Sequence, residues 1–465
     1  MLSRLTSHQM IPFIIALSFF MEGVDGTIIN TAIPAMARSL LVDPVDLKVA
    51  LISYLLSLAI FIPISGWIAD KFGSKKVFIS ALFLFTLSSL WCGFADDIHE
   101  LVIARFVQGF GGALGLPVGR LILVRSSGRE NLIVTMNRVV TVGTLGPMLG
   151  PLIGGFITTR FTWHWIFWVN IPVGLFAIGL AYIWLEDGEL DPVPPLDKVG
   201  FMLFGAALAG ITFGLASLSE TTANSSIALS IILLSVILLF AYMMHSRRLA
   251  HPIVKTDLLS LRTFRVSVLG NLVSRLGFGG VPFLVPLLLQ VGLGYSAELS
   301  GLLLAPIAVG VLIGKPLFLP ILRIFGYKRF LITNTIFAGL SIWVFMSIDA
   351  DTPIYIIAFL TGVYGFILTL QYSSMNSLAY ADILPGYLSA ATSIMSTLQQ
   401  LAQSFGVASA ALFIRLFSGM FSNNVVLTPI VFHYTFFSIG FFTLLSTLVF
   451  WQLKPEDGQQ LIYKV

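Results

Sequence analysis

The stretch GWIADKFGSKK, residues 66–76, ends an almost wholly apolar run on one acid and three lysines. Upstream of it about residues 48–69, and downstream about residues 77–95, are each long enough to cross the roughly 30 Å of a bilayer's hydrocarbon as a helix. Two spans joined by a short charged corner with a glycine in it read as helix–turn–helix at a membrane surface. The rest of the chain has the same character. Of 465 residues, 57% are apolar and 10% charged, with a mean hydropathy of +0.94, far from soluble averages. The expected fold class is therefore an all-α membrane protein with no large aqueous domain.

Spans are expected at about 11–37, 48–69, 77–95, 101–123, 132–157, 164–185, 199–218, 226–244, 266–291, 298–321, 330–347, 353–375, 388–415 and 432–452, which makes 14 transmembrane helices. The first run, IPFIIALSFFM, has no small-x-small cleavage site directly after it and continues through VDGTIINTAIPAMA, so it reads as a retained helix. Of the 26 Lys and Arg, four (Arg38, Lys48, Arg160, Arg415) fall outside and five within spans if the N-terminus is cytoplasmic, leaving 17 inside. That asymmetry predicts both termini in the cytoplasm, and it absorbs most of the formal charge of +4. Cys92 is alone and inside an apolar run, so it reads as packing.

Two polar segments, EDGELDPVPPLD (186–197) and HSRRLAHPIVKTDLLSLRTFR (245–265), bracket a pair of spans. Removing that pair leaves six spans on each side. The expected organisation is an N-terminal half over 1–190, a linker with two additional helices over 191–262, and a C-terminal half over 263–465. Aligning GWIADKFGSKKV (66–77) with LPILRIFGYKRF (319–330) puts Gly73 over Gly326, Lys75 over Lys328 and Lys76 over Arg329, while Asp70 falls over Arg323. An internal repeat and a coincidence between two basic cytoplasmic turns both fit that match.

Further stretches belong with the corner: VDGTIINTAIP (24–34), RFVQGFGGA (105–113), GTLGPMLGPLIGG (143–155) and WHWIFWVNIPVG (163–174). With GWIADKFGSKK they resemble the major facilitator superfamily, and more closely its 14-span drug:proton antiporter branch, over nearly the whole chain. LPVGRLILV (116–124), GKPLFLP (314–320) and SSMNSL (373–378) are most similar to the MdtD-type multidrug exporter subgroup of that branch. The resemblance implies the major facilitator fold, two six-helix halves plus a two-helix insert. It further implies that Gly66, Asp70, Gly73, Lys75 and Lys76 form a conformational latch in which Asp70 meets a helix N-terminus and the lysines brace nearby acids. Ser74 stands where the family usually has arginine, which weakens that bracing. A purely topological role for the lysines is the plainer reading.

Glycines recur every four residues at 111, 115 and 119 and again at 146, 150 and 154, so each set lines one helix face where backbones approach closely. The resemblance assigns the second set, with Gly143, Pro147, Pro151 and Gly155, to the antiporter motif. For the first set static packing explains the spacing equally well.

A cation at the bilayer centre costs about 2.5–3.5 kcal/mol on insertion scales, so it normally faces a cavity or a partner. Arg105, Arg120, Arg138, Arg275 and Lys315 lie within spans, against two deep carboxylates, Glu22 and Asp25, three residues apart on the first helix. Glu22 and Asp25 are the candidate proton carriers, and Arg105 resembles the family's coupling arginine. Arg275, about 15 Å into its span at 1.5 Å per residue, is the candidate substrate contact, with Lys315, Asn271 and Gln108. A structural bridge from Arg275 to Glu22 or Asp25 fits the sequence equally well.

GVLIGKP (310–316) has three residues between its glycines and proline after its lysine, so it is not a phosphate loop. The six histidines show no HExxH or paired metal spacing, and Trp163, His164, Trp165 and Trp168 read as an aromatic belt. No cofactor, metal or nucleic acid is expected, and neither is an enzyme. The expected function is proton-coupled export of a small molecule across the inner membrane, by two halves rocking about a central cavity. The excess of buried cations favours an organic anion such as a citrate-like metabolite or siderophore. The subgroup's label and the aromatic helices favour multidrug efflux of lipophilic or cationic compounds, and a membrane enzyme or sensor lacks both a catalytic cluster and an output domain.

Overall fold

Gly73 and Gly326 make their two corners in the same way. Gly73, with φ +94°, closes one helix and opens the next, its N–H donating to the Ala69 carbonyl. Gly326, with φ +68°, interrupts an otherwise continuous helical run. A positive φ at the joint between two helices is open to glycine and strained for other residues, so the alignment of these two positions has a conformational basis.

The computed structural model describes residues 7–126, 132–186, 193–218, 225–421 and 427–463. Among them no strand occurs and 13 helices are long and apolar enough to cross a membrane. One of these, Ala297–Ser347, holds 51 residues and is broken at Gly326, so the described residues hold 14 such helical stretches, in keeping with the number expected from hydropathy. They are α1 (Ser7–Ser39), α2 (Lys48–Phe72), α3 (Ser74–Cys92), α4 (Ile98–Ser126), α5 (Leu132–Arg160), α6 (Trp165–Trp184) and α7 (Lys198–Ser217). There follow α8 (Ser225–Ser246), α9 (Arg262–Gly292), α10 and α11 (297–325 and 327–347), α12 (Ile354–Ala379), α13 (Leu388–Phe421) and α14 (Pro429–Phe450).

The chain divides into two compact units, Met1–Leu196 with Ser296–Gly301, and Asp197–Tyr295 with Leu302–Val465. The expected boundary at 190/191 lies outside the described residues. In the first unit α1 lies along α5 and faces α4, around a core that includes Ile14, Phe19, Phe78, Phe85 and Val118. Trp163 is buried here and stacks on His164, while Trp165 is exposed, so the belt expected from sequence is partly turned inward.

In the second unit α10 and α12 cross at Gly310 and Gly365, where a Cβ at either position would meet the other helix's backbone. The insert pair α7–α8 is packed through Gly210 against Ser235 and Gly214 against Ile232. Asp197 ties its base, accepting from Gly200 N at 2.8 Å and lying 2.8 Å from His245 Nε2. α9 is not continuous: helix Arg262–Phe278 stops at Gly279–Gly280 before Val281–Leu287 resumes. Pro282 has no N–H to give the Phe278 carbonyl, and the Tyr364 hydroxyl donates to that carbonyl at 3.2 Å instead. Irregular backbone at membrane depth survives where protein groups satisfy it in this way.

Candidate functional site

Each unit holds a polar centre built on an arginine within a span. The first is built on α1. Asp25 is fully buried and accepts from Arg105 Nη1 at 2.7 Å, Gln108 Nε2 at 2.9 Å and Asn170 Nδ2 at 2.8 Å. Arg105 Nη1 also donates to Gln108 Oε1 at 2.6 Å, and its guanidinium lies 4.2 Å from the Tyr54 ring centroid. Nε and Nη2 of Arg105 have no hydrogen-bond partner among the described residues. A buried charge pair offsets its desolvation when the surrounding donors and acceptors are also satisfied, and here that holds for the carboxylate, which takes three N–H donors, but not for those two guanidinium nitrogens. Gln108, grouped by sequence with the substrate contacts, thus belongs to the Asp25 cluster. Asn170 was not singled out by sequence, although a lone amide inside WVNIPVG was the available signal.

Glu22, one turn earlier on α1, is also buried but makes none of these contacts. Its Oε2 has no hydrogen-bond partner among the described residues. The carboxylate lies against Gly112 and Gly115 of α4, and a Cβ at 115 would collide with it. The helix-four ladder therefore serves more than one neighbour: Gly111 meets the Phe85 backbone of α3, Gly115 admits Glu22, and Gly119 meets Ile15, Phe19 and Phe78. Arg120 lies 6.0 Å from the Phe19 ring, and Arg138 is exposed on α5.

The four-residue-spaced glycines of α5 bring it onto α1 backbone to backbone. A Cβ at Gly146 would meet the Phe20 carbonyl, one at Gly150 Thr27 Oγ1, and one at Gly154 the Ile28 carbonyl; Gly143 lies under Phe19. Pro151 cannot donate to the Pro147 carbonyl, and Thr27 Oγ1 donates to it at 3.1 Å. Thr31 Oγ1 likewise donates to Pro151 O at 3.3 Å. Gly155 and Pro151 meet the Ser296–Gly301 segment of the same unit, where Thr159 Oγ1 accepts from Glu298 N at 3.0 Å. Gly150→Val is expected to lower the thermal midpoint and abolish transport, since overpacking typically costs about 1–3 kcal/mol. Gly179→Ala, where a Cβ meets open space, is the control expected to match wild type in both measurements.

At the 66–76 corner Asp70 pairs with Arg125 of α4, Nη2 to Oδ1 at 2.9 Å, with both side chains more than a third exposed. Sequence did not single out Arg125. Lys71 lies over the Trp67 ring at 4.6 Å and Lys75 over Tyr182 at 5.7 Å, Lys76 is exposed, and Gly66 has open space at its Cβ. Among the described residues neither Lys75 nor Lys76 pairs with an acid, so the expected bracing is not found there. Exposed pairs contribute only about 0–1 kcal/mol. Asp70→Asn is accordingly expected to slow turnover in proteoliposomes while leaving thermal midpoint and substrate affinity near wild type; unchanged turnover would leave the corner a topological signal.

The second centre sits at the break in α9. Arg275, in the last turn before Gly279, lies 4.1 Å from the Tyr372 ring centroid on α12. Its Nη1 donates to Gln403 Oε1 on α13 at 3.2 Å and its Nε to Asn271 Oδ1 at 3.4 Å. Gln403 Nε2 donates to the Gly279 carbonyl at 2.9 Å, tying the arginine's partner to the break itself. Both partners are neutral amides, and no carboxylate pairs with Arg275 among the described residues. Lys315 is exposed on α10 and shares no hydrogen-bond partner with Arg275. Tyr372 and Gln403 were missed by sequence, although Gln399 and Gln403, one turn apart in an apolar span, marked a polar stripe.

A chain of fourteen apolar helical stretches with a buried acid–arginine cluster on α1 and α4 and a broken, arginine-bearing α9 has the form of a membrane transporter. The chain belongs to the major facilitator superfamily: the Major Facilitator Superfamily profile matches residues 15–407. It is 35% identical over 461 residues to a Haemophilus influenzae protein named as a transport protein, HsrA, covering 99% of each chain. It is also 35% identical over 450 residues to an Escherichia coli protein named for multidrug resistance, MdtD, covering 96% of this chain and 95% of that one. Among solved structures it is similar to a POT family peptide transporter, with a TM-score of 0.70 and 17% identity over 95% of this chain and 96% of the other. The xylose transporter XylE of Escherichia coli shares the fold at a TM-score of 0.63 and 14% identity over 97% of this chain and 98% of that one.

Proposed function

We propose that this transporter is a proton-coupled exporter of the bacterial inner membrane, with both termini cytoplasmic, and that its substrate is an organic anion such as a citrate-like metabolite or siderophore. Residues 1–190 and 263–465 are its two six-helix halves, and 191–262 the linker carrying the additional pair. One observation carries the anion reading: the Arg275 guanidinium is stacked on Tyr372 at the break of α9 and held by neutral amides, without a carboxylate partner among the described residues. A guanidinium so held keeps its charge for a ligand, and its fork suits a carboxylate. Lys315 and Asn271 complete the proposed substrate contacts. Glu22, Asp25 and Arg105, with Gln108, supply the proposed coupling site, since proton carriage needs a buried group with two protonation states.

The names of relatives such as MdtD favour a second reading, efflux of lipophilic or cationic drugs. Comparing the metabolites released by cells with and without the protein, alongside their susceptibility to quaternary ammonium compounds, separates the two. Export of a polycarboxylate with unchanged susceptibility is expected. Raised drug resistance without any released anion would overturn the anion reading.

A further inference from the structure

We infer that Glu22 is the carboxyl that takes up and releases the coupled proton, while Asp25, held by three N–H donors, fixes α1 to α4 and α6. The inference rests on the proton-coupled reading above. The two acids share one helix and complete burial, yet their surroundings differ in kind.

Both Asp25 oxygens are already occupied by N–H donors: Oδ2 by Arg105, Oδ1 by Gln108 and Asn170. A proton added there would point an O–H at a donor and leave the Arg105 charge buried without its counter-ion. Glu22 has no hydrogen-bond donor on its buried Oε2. Its carboxyl rests against Gly112 and Gly115, where the missing side chains leave it space. The buried Oε2 has no hydrogen bond to lose when the carboxyl becomes neutral, which suits a carrier.

The charged and titratable groups facing it are few. α2 presents Tyr54, whose hydroxyl is close to Gly112. α4 presents Arg120, within electrostatic reach of Glu22, and Arg105, already committed to Asp25. Asp25 itself lies three residues on, and α5 meets this stretch of α1 with Gly143, Gly146 and Pro147, none of which titrates. A proton on Glu22 therefore changes the field at the Asp25–Arg105 pair, one turn away, without breaking it. That relation gives the proton a route into helix packing.

The test is infrared difference spectroscopy of the purified full chain in nanodiscs as pH is varied. A protonated carboxyl without hydrogen bonds absorbs at higher frequency than solvated acids, so the buried group is read apart from the surface. Wild type is expected to show such a band growing as pH falls. Glu22→Gln is expected to lose it, Asp25→Asn to keep it, and Glu22→Asp to restore it at another frequency, which also controls for misfolding of the amide variant. Gly115→Ala, which retains both acids but forces the Glu22 carboxyl to move, is expected to shift the midpoint of the band. A band lost in Asp25→Asn and kept in Glu22→Gln would overturn the inference, as would a wild type without any titrating high-frequency band. Failure of the proton-coupled reading itself is seen elsewhere, in wild-type vesicles whose transport ignores a pH gradient.

Discussion

Arg275→Ala is expected to weaken citrate binding by roughly ten- to a hundredfold, because hydrogen bonds to charged groups contribute about 1.5–3 kcal/mol and each 1.4 kcal/mol is about tenfold. Arg275→Lys should lose most of the same affinity despite keeping the charge. An ammonium lacks the planar fork that lies over the Tyr372 ring while donating to Gln403 and Asn271, and it cannot grip a carboxylate through two parallel bonds. Gln403→Leu is expected to fall between wild type and Arg275→Ala, since it removes the clamp that joins the arginine to the Gly279 carbonyl but leaves the guanidinium in place. Calorimetric titration with citrate and with tetraphenylphosphonium, on wild type and all three variants, measures this. Tight phosphonium binding by wild type with no citrate binding would assign Arg275 to holding the α9 break instead.

Arg105→Ala should have the largest effect on the fold. It strands the fully buried Asp25 carboxylate with two neutral amides, and breaking a buried pair by removing one partner typically costs about 3–5 kcal/mol. A markedly lower thermal midpoint in detergent and loss of transport are expected. The double variant Arg105→Gln with Asp25→Asn removes both charges, so it should recover much of the midpoint without recovering transport. An Arg105→Ala protein that melts like wild type would mean that Asp25 has another compensating partner.

The features legible in sequence were those set by local composition or backbone geometry. Span count follows from hydropathy, and the 51-residue helical run divides at Gly326, where the aligned Gly73 foretold a corner. The α5 glycines were legible because four-residue spacing fixes one helix face whatever it packs against. What one sequence could not supply was the partner on another helix. Asn170 reaches Asp25 across 145 residues, Gln403 reaches Arg275 across 128, and Arg125 meets Asp70 across 55. Each depends on the rotation and offset of packed helices, which composition leaves undetermined. For the same reason Gln108, placed by residue type among the substrate contacts, joins the Asp25 cluster, because its side of α4 is set by how α1 and α4 meet. Sequence placed Asp25 in the VDGTIINTAIP stretch and left Glu22 beside it as a competing candidate, and the neighbouring donors and glycines of each are seen only in the fold.

The central claim is that the proton gradient drives this transporter, and it is tested most directly in proteoliposomes without ATP. The internal and external pH are set independently, and flux of labelled citrate and of labelled tetraphenylphosphonium is followed while a pH-sensitive dye reports proton movement. The account predicts citrate accumulation driven by the gradient, protons moving in the opposite direction, and collapse of both on adding nigericin. Protein-dependent transport of either compound that continues unchanged after the gradient is collapsed, with no dye response, would contradict it.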